Sequence, residues 1–195
     1  MKHLVILAHP REGSFTRDIC DIYVRTVRTL GHEVVVRDLY AMKFNPVATV
    51  EDITGNRTGK IPADVKVEQD HLVWADVIAL FHPIWWIDRP AILKGYIDRV
   101  FAIGFAYGYS PNGPVGMLKD KRAIIFSSAG STQEHFDQSG KMQAVHTVQD
   151  MGTMEFCNIK MIEHVHFSPL GSRSTPEMVE GYKRRVEEVT RQHFT

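Results

Sequence analysis

The stretch LVILAHPREGSFT at residues 4–16 decides the fold, because it contains a run of apolar residues followed by the start of an amphipathic helix. The first five residues are all apolar, which is typical of a parallel strand buried on both faces. Apolar residues then recur at helical spacing from Phe15 to Leu30. Ser14 is the predicted N-cap of this helix, and Gly31 is predicted to end it. The stretch therefore predicts a strand, a polar loop and a helix in direct succession.

The same alternation continues along the chain. Further strands are predicted at residues 33–37, 77–81, 123–126 and 160–165, and further helices at residues 64–74, 88–101, 141–156 and from 175 onward. Residues 38–61 are rich in Asn, Thr, Gly and Pro and are predicted to form a loop. Five strands alternating with helices predict an α/β fold in one domain over residues 1–195, a doubly wound parallel sheet with helices on both faces.

The loops after strands one, three and four are unusual, and they suggest how the strands are ordered. They span residues 9–16, 82–89 and 127–136. A strand order of 2-1-3-4-5 makes these three strands neighbours, so the loops would meet in one crevice. Open parallel sheets bind ligands beyond the carboxyl ends of their strands, where the order reverses. We therefore expect the functional site where these loops converge.

Composition excludes several classes of protein. Among 195 residues, Lys and Arg number 23 and Asp and Glu number 23, so the net charge is zero. No basic excess indicates a nucleic-acid partner, and no acidic excess indicates a soluble electron carrier. The longest apolar stretch, residues 77–87, is interrupted by His82 and Pro83 and is not expected to insert into a membrane. With two cysteines, Cys20 and Cys157, predicted to be reduced, we expect a soluble cytoplasmic protein.

Each of the three loops has a chemical interpretation, and the first two also have a structural alternative. The first joins a strand to a helix N-terminus and carries the Ser14 and Thr16 hydroxyls, which suits a phosphate, although it could be a plain capped helix start. The adjacent Trp85 and Trp86 of the second could stack on a flat conjugated ring, or one of them could be core. The small residues after Ser127 could aim backbone N–H groups at negative charge.

Two other patterns are weaker. His164 and His166 fall on one face of a strand and could form a metal pair, but the sequence shows no third ligand near them, so no metal is predicted. Residues 55–60, GNRTGK, approach a phosphate-binding P-loop, but the spacing is one residue short and no strand precedes it.

With these motifs in place, the sequence resembles the flavodoxin-like NAD(P)H:quinone oxidoreductases, the DT-diaphorase family. The similarity covers most of the chain and consists of short segments that occur in the same order as in the family. They are LAHP at residues 7–10, SF at 14–15, DLYAM at 38–42, FNP at 44–46, DITG at 52–55, RPAILKG at 89–95, FAYGY at 105–109, FC at 156–157 and EGY at 180–182.

The resemblance implies a homodimeric flavoenzyme that takes hydride from NAD(P)H and reduces quinones by a ping-pong mechanism. It implies FAD as the cofactor, with FMN as an alternative because the chain after the DITG segment is short. Two other functions stay open: a flavodoxin-like electron carrier, and a regulatory flavoprotein bound to a membrane transporter. Zero net charge and the aromatic loop argue against the carrier.

The resemblance also assigns site residues. The flavin contacts are His9, Ser14, Phe15 and Thr16 on the phosphate side, Pro83, Ile84, Trp85, Trp86 and Ile87 along the isoalloxazine ring, and Ser127, Ser128, Ala129 and Gly130 at its polar edge. The substrate contacts are Trp86, Tyr107, Tyr109 and Phe156, three of which would cover the flavin of a partner chain.

One catalytic residue, His135, is predicted. By ungapped counting, the Tyr and His that assist hydride transfer in the family fall near His135 and Lys141, and neither type matches. His135 itself follows the loop after strand four. Its imidazole could stabilise negative charge on a reduced flavin, or it could be a solvent-facing side chain without a role.

Overall fold

A five-stranded parallel sheet forms the centre of the computed structural model, which describes residues 1–55 and 57–195. Its strands pair in the order β2-β1-β3-β6-β7. Counted along the main sheet this is 2-1-3-4-5, so the predicted order is confirmed. The strands are β1 (Lys2–Leu7), β2 (Glu33–Asp38), β3 (Val77–Pro83), β6 (Arg122–Ser128) and β7 (Lys160–Phe167), and a separate hairpin consists of β4 (Tyr107–Ser110) and β5 (Gly113–Gly116).

Helices cover both faces of the sheet. They are α1 (Phe15–Thr29), α2 (Val50–Thr58), α3 (Ala63–Trp74), α4 (Ala91–Val100), α5 (Gln133–Gln138), α6 (Lys141–His146) and α7 (Pro176–Phe194). Leu4 and Ile6 of β1 belong to one buried apolar cluster, and Val5 and Leu7 belong to another. Because both faces of β1 are buried, the strand needs an unbroken apolar sequence rather than an alternating one.

The predicted ends of α1 and α7 are confirmed. Ser14 Oγ accepts a hydrogen bond from the Arg17 backbone N–H at 3.2 Å, and Gly31, at φ +79°, follows the C-cap. Thr175 caps α7, whose first residue is Pro176. Capping signals of this kind are local, so the sequence alone is sufficient to read them.

The predicted loop at residues 38–61 is wrong in part, because α2 lies within it. Thr49 and Asp52 form a capping box at its start, and the Asp52 carboxylate accepts from Arg99 Nε at 2.9 Å. Arg99, which is almost fully buried on α4, also donates to Asp64 at 2.7 Å. The residues of α2 have a low intrinsic helix propensity, so contacts with Arg99, which is distant in sequence, stabilise this helix.

Four further regions differ from the sequence-based expectations. The predicted helix at residues 141–156 is divided into α6, a π-helical stretch over Thr147–Met154 and a 3₁₀ turn over Glu155–Cys157. Helix α5 and the β4–β5 hairpin were not expected. Helix α4 begins at Ala91 rather than residue 88, because the residues before it form a tight turn.

Two smaller observations complete the fold. Cys20 and Cys157 are both free and buried. Within the described ranges, no helix combines the length and apolar character needed to cross a bilayer.

Candidate active site

A pocket of about 380 Å³ opens at the carboxyl ends of β1, β3 and β6, where the three unusual loops meet. The convergence expected from the strand order is therefore present. Ten of the residues predicted to contact a flavin line this pocket: His9, Ser14, Phe15, Thr16, Pro83, Ile84, Trp85, Ser128, Ala129 and Gly130.

One end of the pocket is the N-terminus of α1. The first backbone N–H groups of a helix have no partner within the helix, and the helix dipole adds partial positive charge there. Arg11 lines the same end, and its backbone N–H donates to His9 Nδ1 at 3.1 Å. Partial burial lowers the pKa of His9 below its ordinary value, which favours a neutral ring near pH 7. This end can bind an anionic group such as a phosphate.

The aromatic loop forms a tight turn at the side of the pocket. Trp85 and Asp88 exchange two backbone hydrogen bonds, at 2.9 and 3.0 Å, across Trp86 (φ +53°) and Ile87 (φ +65°). Two central residues with positive φ are the signature of a type I′ turn, and a β-branched residue there is a marked outlier. Such strain persists only where the surrounding structure holds it, often at functional sites.

The turn divides the aromatic residues between two environments. Trp85 lines the pocket, and its ring centre lies 6.2 Å from that of His9. Trp86, at the tip, is 100% exposed and does not line the pocket. Ile87 packs instead beside an apolar cluster that includes Ile84 and Phe136. Of the five residues predicted to contact the flavin ring, Pro83, Ile84 and Trp85 therefore line the pocket, and Trp86 and Ile87 do not.

The residues at the end of β6 and in the loop after it also lie in two different environments. Ser128, Ala129 and Gly130 line the pocket, but the Ala129 N–H already donates to the Phe167 carbonyl at 3.0 Å. Among the described residues the Gly130 N–H has no such partner, so it is the available backbone donor. Ser127 is fully buried and faces away from the pocket, toward His164 and His166.

The sequence analysis missed part of the pocket wall. Besides Arg11, the missed lining residues are Leu170, Gly171, Ser174 and Val179. The last four lie in the connection after β7 and at the start of α7. For Leu170, Gly171 and Ser174 the only sequence signal was their position between a predicted strand end and the helix start at Thr175, and Val179 lies in the first turn of that helix. Edge-strand loops reach a crevice only when tertiary packing bends them toward it.

A second pocket, of about 600 Å³, contains the predicted substrate residues Tyr107, Tyr109 and Phe156. The rings of Tyr107 and Phe156 lie 5.3 Å apart, and Tyr109 is 70% exposed. None of the residues lining this pocket lines the first one. Within a single chain, these side chains are therefore separate from the predicted flavin contacts.

His135 lies on α5 and lines neither pocket. It is exposed, and its Nε2 lies 2.9 Å from Lys141 Nζ. The geometry of the single chain does not bring it to the candidate site and so gives no support to the predicted role in hydride transfer, which a substitution at this position must decide.

A buried polar cluster lies behind the wall formed by β3 and β6. Burial lowers the pKa of His82 to about 3, so this imidazole is neutral at pH 7. Ser127 Oγ lies 2.8 Å from both His164 Nε2 and His166 Nδ1, and His164 Nδ1 lies 2.8 Å from Asp150 Oδ1. Burial raises the pKa of Asp150, but hydrogen bonds with His164 and His146 outweigh it and leave that pKa below its usual value.

Comparison with known proteins agrees with the fold. The family model described as flavodoxin-like fold matches residues 1–190. An uncharacterized NAD(P)H oxidoreductase of Haemophilus influenzae is 37% identical over 87% of this chain and 85% of that protein. NAD(P)H dehydrogenase [quinone] 1 of Cavia porcellus is 30% identical over 95% of this chain and 76% of that protein.

A solved structure gives the same result. The NAD(P)H:quinone oxidoreductase of Methanothermobacter marburgensis superposes with a TM-score of 0.90 at 27% identity, covering 99% of this chain and 98% of that chain. The molecule is thus an α/β protein with a pocket at the carboxyl edge of a doubly wound sheet. It belongs to the flavodoxin-like family, among the NAD(P)H:quinone oxidoreductases, and is an oxidoreductase.

Proposed function

We propose that this chain is a flavin-dependent NAD(P)H:quinone oxidoreductase that reduces its acceptor by two electrons in a ping-pong mechanism. The observation that supports this most directly is the single pocket in which the phosphate-type loop, Trp85 and the small-residue loop meet. The names of the relatives indicate NAD(P)H and a quinone as the substrates, and the pocket is a candidate site for the flavin.

The residues present fit a flavin. The α1 N-terminus and Arg11 provide positive charge for its phosphate, and Trp85 provides a flat apolar surface beside its ring. The unpaired N–H of Gly130 suits an acceptor atom on the polar edge. These contacts concern the part that FAD and FMN share, so FAD stays the first choice from the resemblance and FMN the alternative.

A bound flavin supplies the chemistry, because it accepts a hydride from the nicotinamide and passes two electrons to the acceptor. The protein's contribution is position and environment. Ile84 and Trp85 would exclude water from one side of a bound flavin and orient its ring. The Gly130 N–H would donate to the polar edge of the ring and stabilise negative charge there. One shared slot for both substrates requires the first product to leave before the second substrate binds.

We also propose that the protein acts as a homodimer. The second pocket leaves Tyr109 and Phe156 exposed beside other exposed apolar side chains, including Val148 and Met151. Exposed apolar patches of this kind mark interfaces, and aromatic residues favour their centres. A symmetric pairing would place Tyr107, Tyr109 and Phe156 over the partner's flavin and complete each site with residues of both chains.

The cofactor is tested by the absorption spectrum and the flavin released from purified protein. We expect one flavin per chain, and chromatography distinguishes FAD from FMN. Double-reciprocal plots against NAD(P)H at several concentrations of a 1,4-benzoquinone should be parallel. A colourless protein that neither flavin reconstitutes would refute the proposed function, and intersecting lines would refute the shared slot.

The two tryptophans provide a matched pair for the same proposal. Trp85→Ala should weaken flavin binding, because Trp85 lines the pocket. Trp86→Ala should leave flavin content unchanged and raise KM for the quinone, because Trp86 is exposed next to the pocket and free to contact the acceptor. Equal effects of both substitutions on flavin content would contradict these assignments.

The dimer is tested by sedimentation at micromolar concentration. We expect a dimer for the native chain and a shift toward monomer for Tyr109→Glu, with a parallel loss of quinone reduction. A flavin-loaded monomer of full activity would show that the second pocket has no part in the reaction.

A further inference from the structure

Three side chains with metal-ligating atoms meet behind the pocket, where the sequence showed only a histidine pair. His146 ends α6, Asp150 lies in the π-helical stretch and His164 lies on β7. His146 Nδ1 lies 2.6 Å from Asp150 Oδ2, and His164 Nδ1 lies 2.8 Å from Asp150 Oδ1. One ligand atom from each residue falls within 4.8 Å of those from the other two.

We propose that His146, Asp150 and His164 bind a divalent transition-metal ion of the Zn²⁺ class, with solvent completing the coordination. Two imidazoles and one carboxylate are a ligand set that Zn²⁺ and related ions favour. Ligand atoms about 2.0–2.2 Å from a common ion lie roughly 3–3.6 Å from one another. The two imidazole nitrogens lie 2.6 and 2.8 Å from different oxygens of Asp150, and one ligand atom per residue stays within 4.8 Å of the others, so a small shift of the side chains would bring them to a common ion. The proposal concerns a site distinct from the pocket and does not depend on the flavin.

His164 has the kind of outer hydrogen bond that commonly orients a metal-binding histidine. Its side chain is only 2% exposed, and its second ring nitrogen, Nε2, lies 2.8 Å from Ser127 Oγ. With Nδ1 on the metal, the Nε2–H would donate to the Ser127 hydroxyl, which would donate in turn to His166 Nδ1 at 2.8 Å. Such outer contacts fix the tautomer and the direction of a ligating imidazole.

The backbone also favours the arrangement. His146 and Asp150 are four residues apart, across the junction of α6 and the π-helical stretch, and Asp150 lies within hydrogen-bond distance of both His146 and His164. π-Helical turns are rare and occur frequently at functional sites. The rings of His146 and His164 lie 5.0 Å apart at 83° to each other, so the two imidazoles are also in contact.

One side of the cluster remains open. The His146 side chain is 37% exposed, whereas those of Asp150 and His164 are largely buried. An ion could therefore reach the cluster from solvent and keep a water ligand on that side. The alternative is that Asp150 accepts hydrogen bonds from two imidazole N–H groups and binds no ion.

Metal binding is tested on the full chain after treatment with a chelator and dialysis. We expect one Co²⁺ per chain, followed by its absorption bands and displaced by Zn²⁺, and a rise in Tm with added Zn²⁺. His146→Gln and Asp150→Asn should each weaken Co²⁺ binding at least tenfold. His146 is partly exposed, so its variant should fold even where the Asp150 variant does not.

A matched control comes from His193, whose Nε2 lies 2.8 Å from Glu163 Oε2, a histidine–carboxylate pair on another part of the surface. His193→Gln should leave the stoichiometric Co²⁺ site intact. Absence of stoichiometric Co²⁺ binding by the native chain would overturn the proposal. So would equal binding by the native chain and His146→Gln, since the ion would then lie elsewhere.

Discussion

The hydroxyl oxygen of Ser127 lies 2.8 Å from Nε2 of His164, on the side of β6 that faces away from the pocket. The next residue, Ser128, lines the pocket. Adjacent side chains on a strand point to opposite faces, so two neighbouring serines have different tasks. Ser127 contacts His164 and His166 on the side of β6 away from the pocket, and Ser128 forms part of the pocket surface.

This division gives a first prediction. Ser127→Ala should lower the free energy of unfolding by about 1–3 kcal/mol, because it leaves buried imidazole nitrogens without a partner. Ser128→Ala should instead weaken flavin binding with a smaller effect on stability. Urea unfolding and flavin titration of both variants measure the two effects. The reverse pattern would contradict the assignment of the two faces.

A second prediction concerns the ion pair between Arg99 and Asp52. Both side chains are almost fully buried, and Arg99→Ala leaves the Asp52 carboxylate buried without its cation. We expect a loss of about 3–5 kcal/mol in the free energy of unfolding. Lys94→Ala on the same helix breaks an exposed pair with Asp98 and should cost less than about 1 kcal/mol. Similar losses for the two variants in denaturant titrations would refute this account.

A third prediction concerns Arg11 at the end of the pocket that can bind an anion. Arg11→Gln should weaken binding of flavin to apoprotein about tenfold or more, since a charge-assisted hydrogen bond contributes about 1.5–3 kcal/mol. Arg25→Gln removes the same charge from α1 at a position that does not line the pocket, and it should have little effect. Quenching of flavin fluorescence measures both affinities. Equal affinities would show that Arg11 does not contact the phosphate.

The fourth prediction is a pH dependence that arises from His3. Burial, with a contribution from His32, lowers the pKa of His3 from 6.5 to about 3. Between these values the unfolded chain binds a proton that the folded chain does not, so stability falls as pH decreases below 6.5. The His3 contribution between pH 6.5 and 5 is roughly 1–2 kcal/mol.

Thermal unfolding at pH 7 and pH 5 measures this slope. His3→Gln should flatten it while lowering stability at pH 7, because the side chain loses contacts with Tyr23 and His32. An unchanged slope in the variant would mean that other groups carry the dependence.

The fifth prediction decides the role of His135. Since this side chain is exposed and lies beside Lys141, His135→Ala should change the rate of flavin reduction by NAD(P)H less than about twofold. Stopped-flow absorbance measures this half-reaction directly. A loss of about 10²-fold, typical of a removed acid–base group, would restore the catalytic role that the sequence suggested.

The sheet and the position of the pocket could be predicted because their signals are local. Apolar runs such as residues 4–8 identify buried strands, and loops that follow them must reach one edge of a parallel sheet. The order of the strands then followed from the clustering of unusual loops. None of these steps needs the detailed packing of side chains.

The parts that escaped prediction depend on contacts between distant residues. Helix α2 is stabilised through Asp52 by Arg99, which is 47 residues away. The inward bend of residues 170–179 depends on how the chain packs after β7. His146 and Asp150 joined His164 only because α6 continues as a π-helix across the face of β7. A periodic pattern does not distinguish this winding from an ordinary α-helix.

The π-helical winding of Thr147–Met154 gives this part of the chain an unusual tolerance to changes in length. Because each of its turns holds more residues than an α-turn, one residue can be deleted and the stretch rewound as α-helix with both ends in place. The same deletion inside α1 would rotate everything beyond it by about 100°. Rewinding would, however, turn Asp150 away from His164. A related sequence one residue shorter here would therefore keep the fold and lose the cluster.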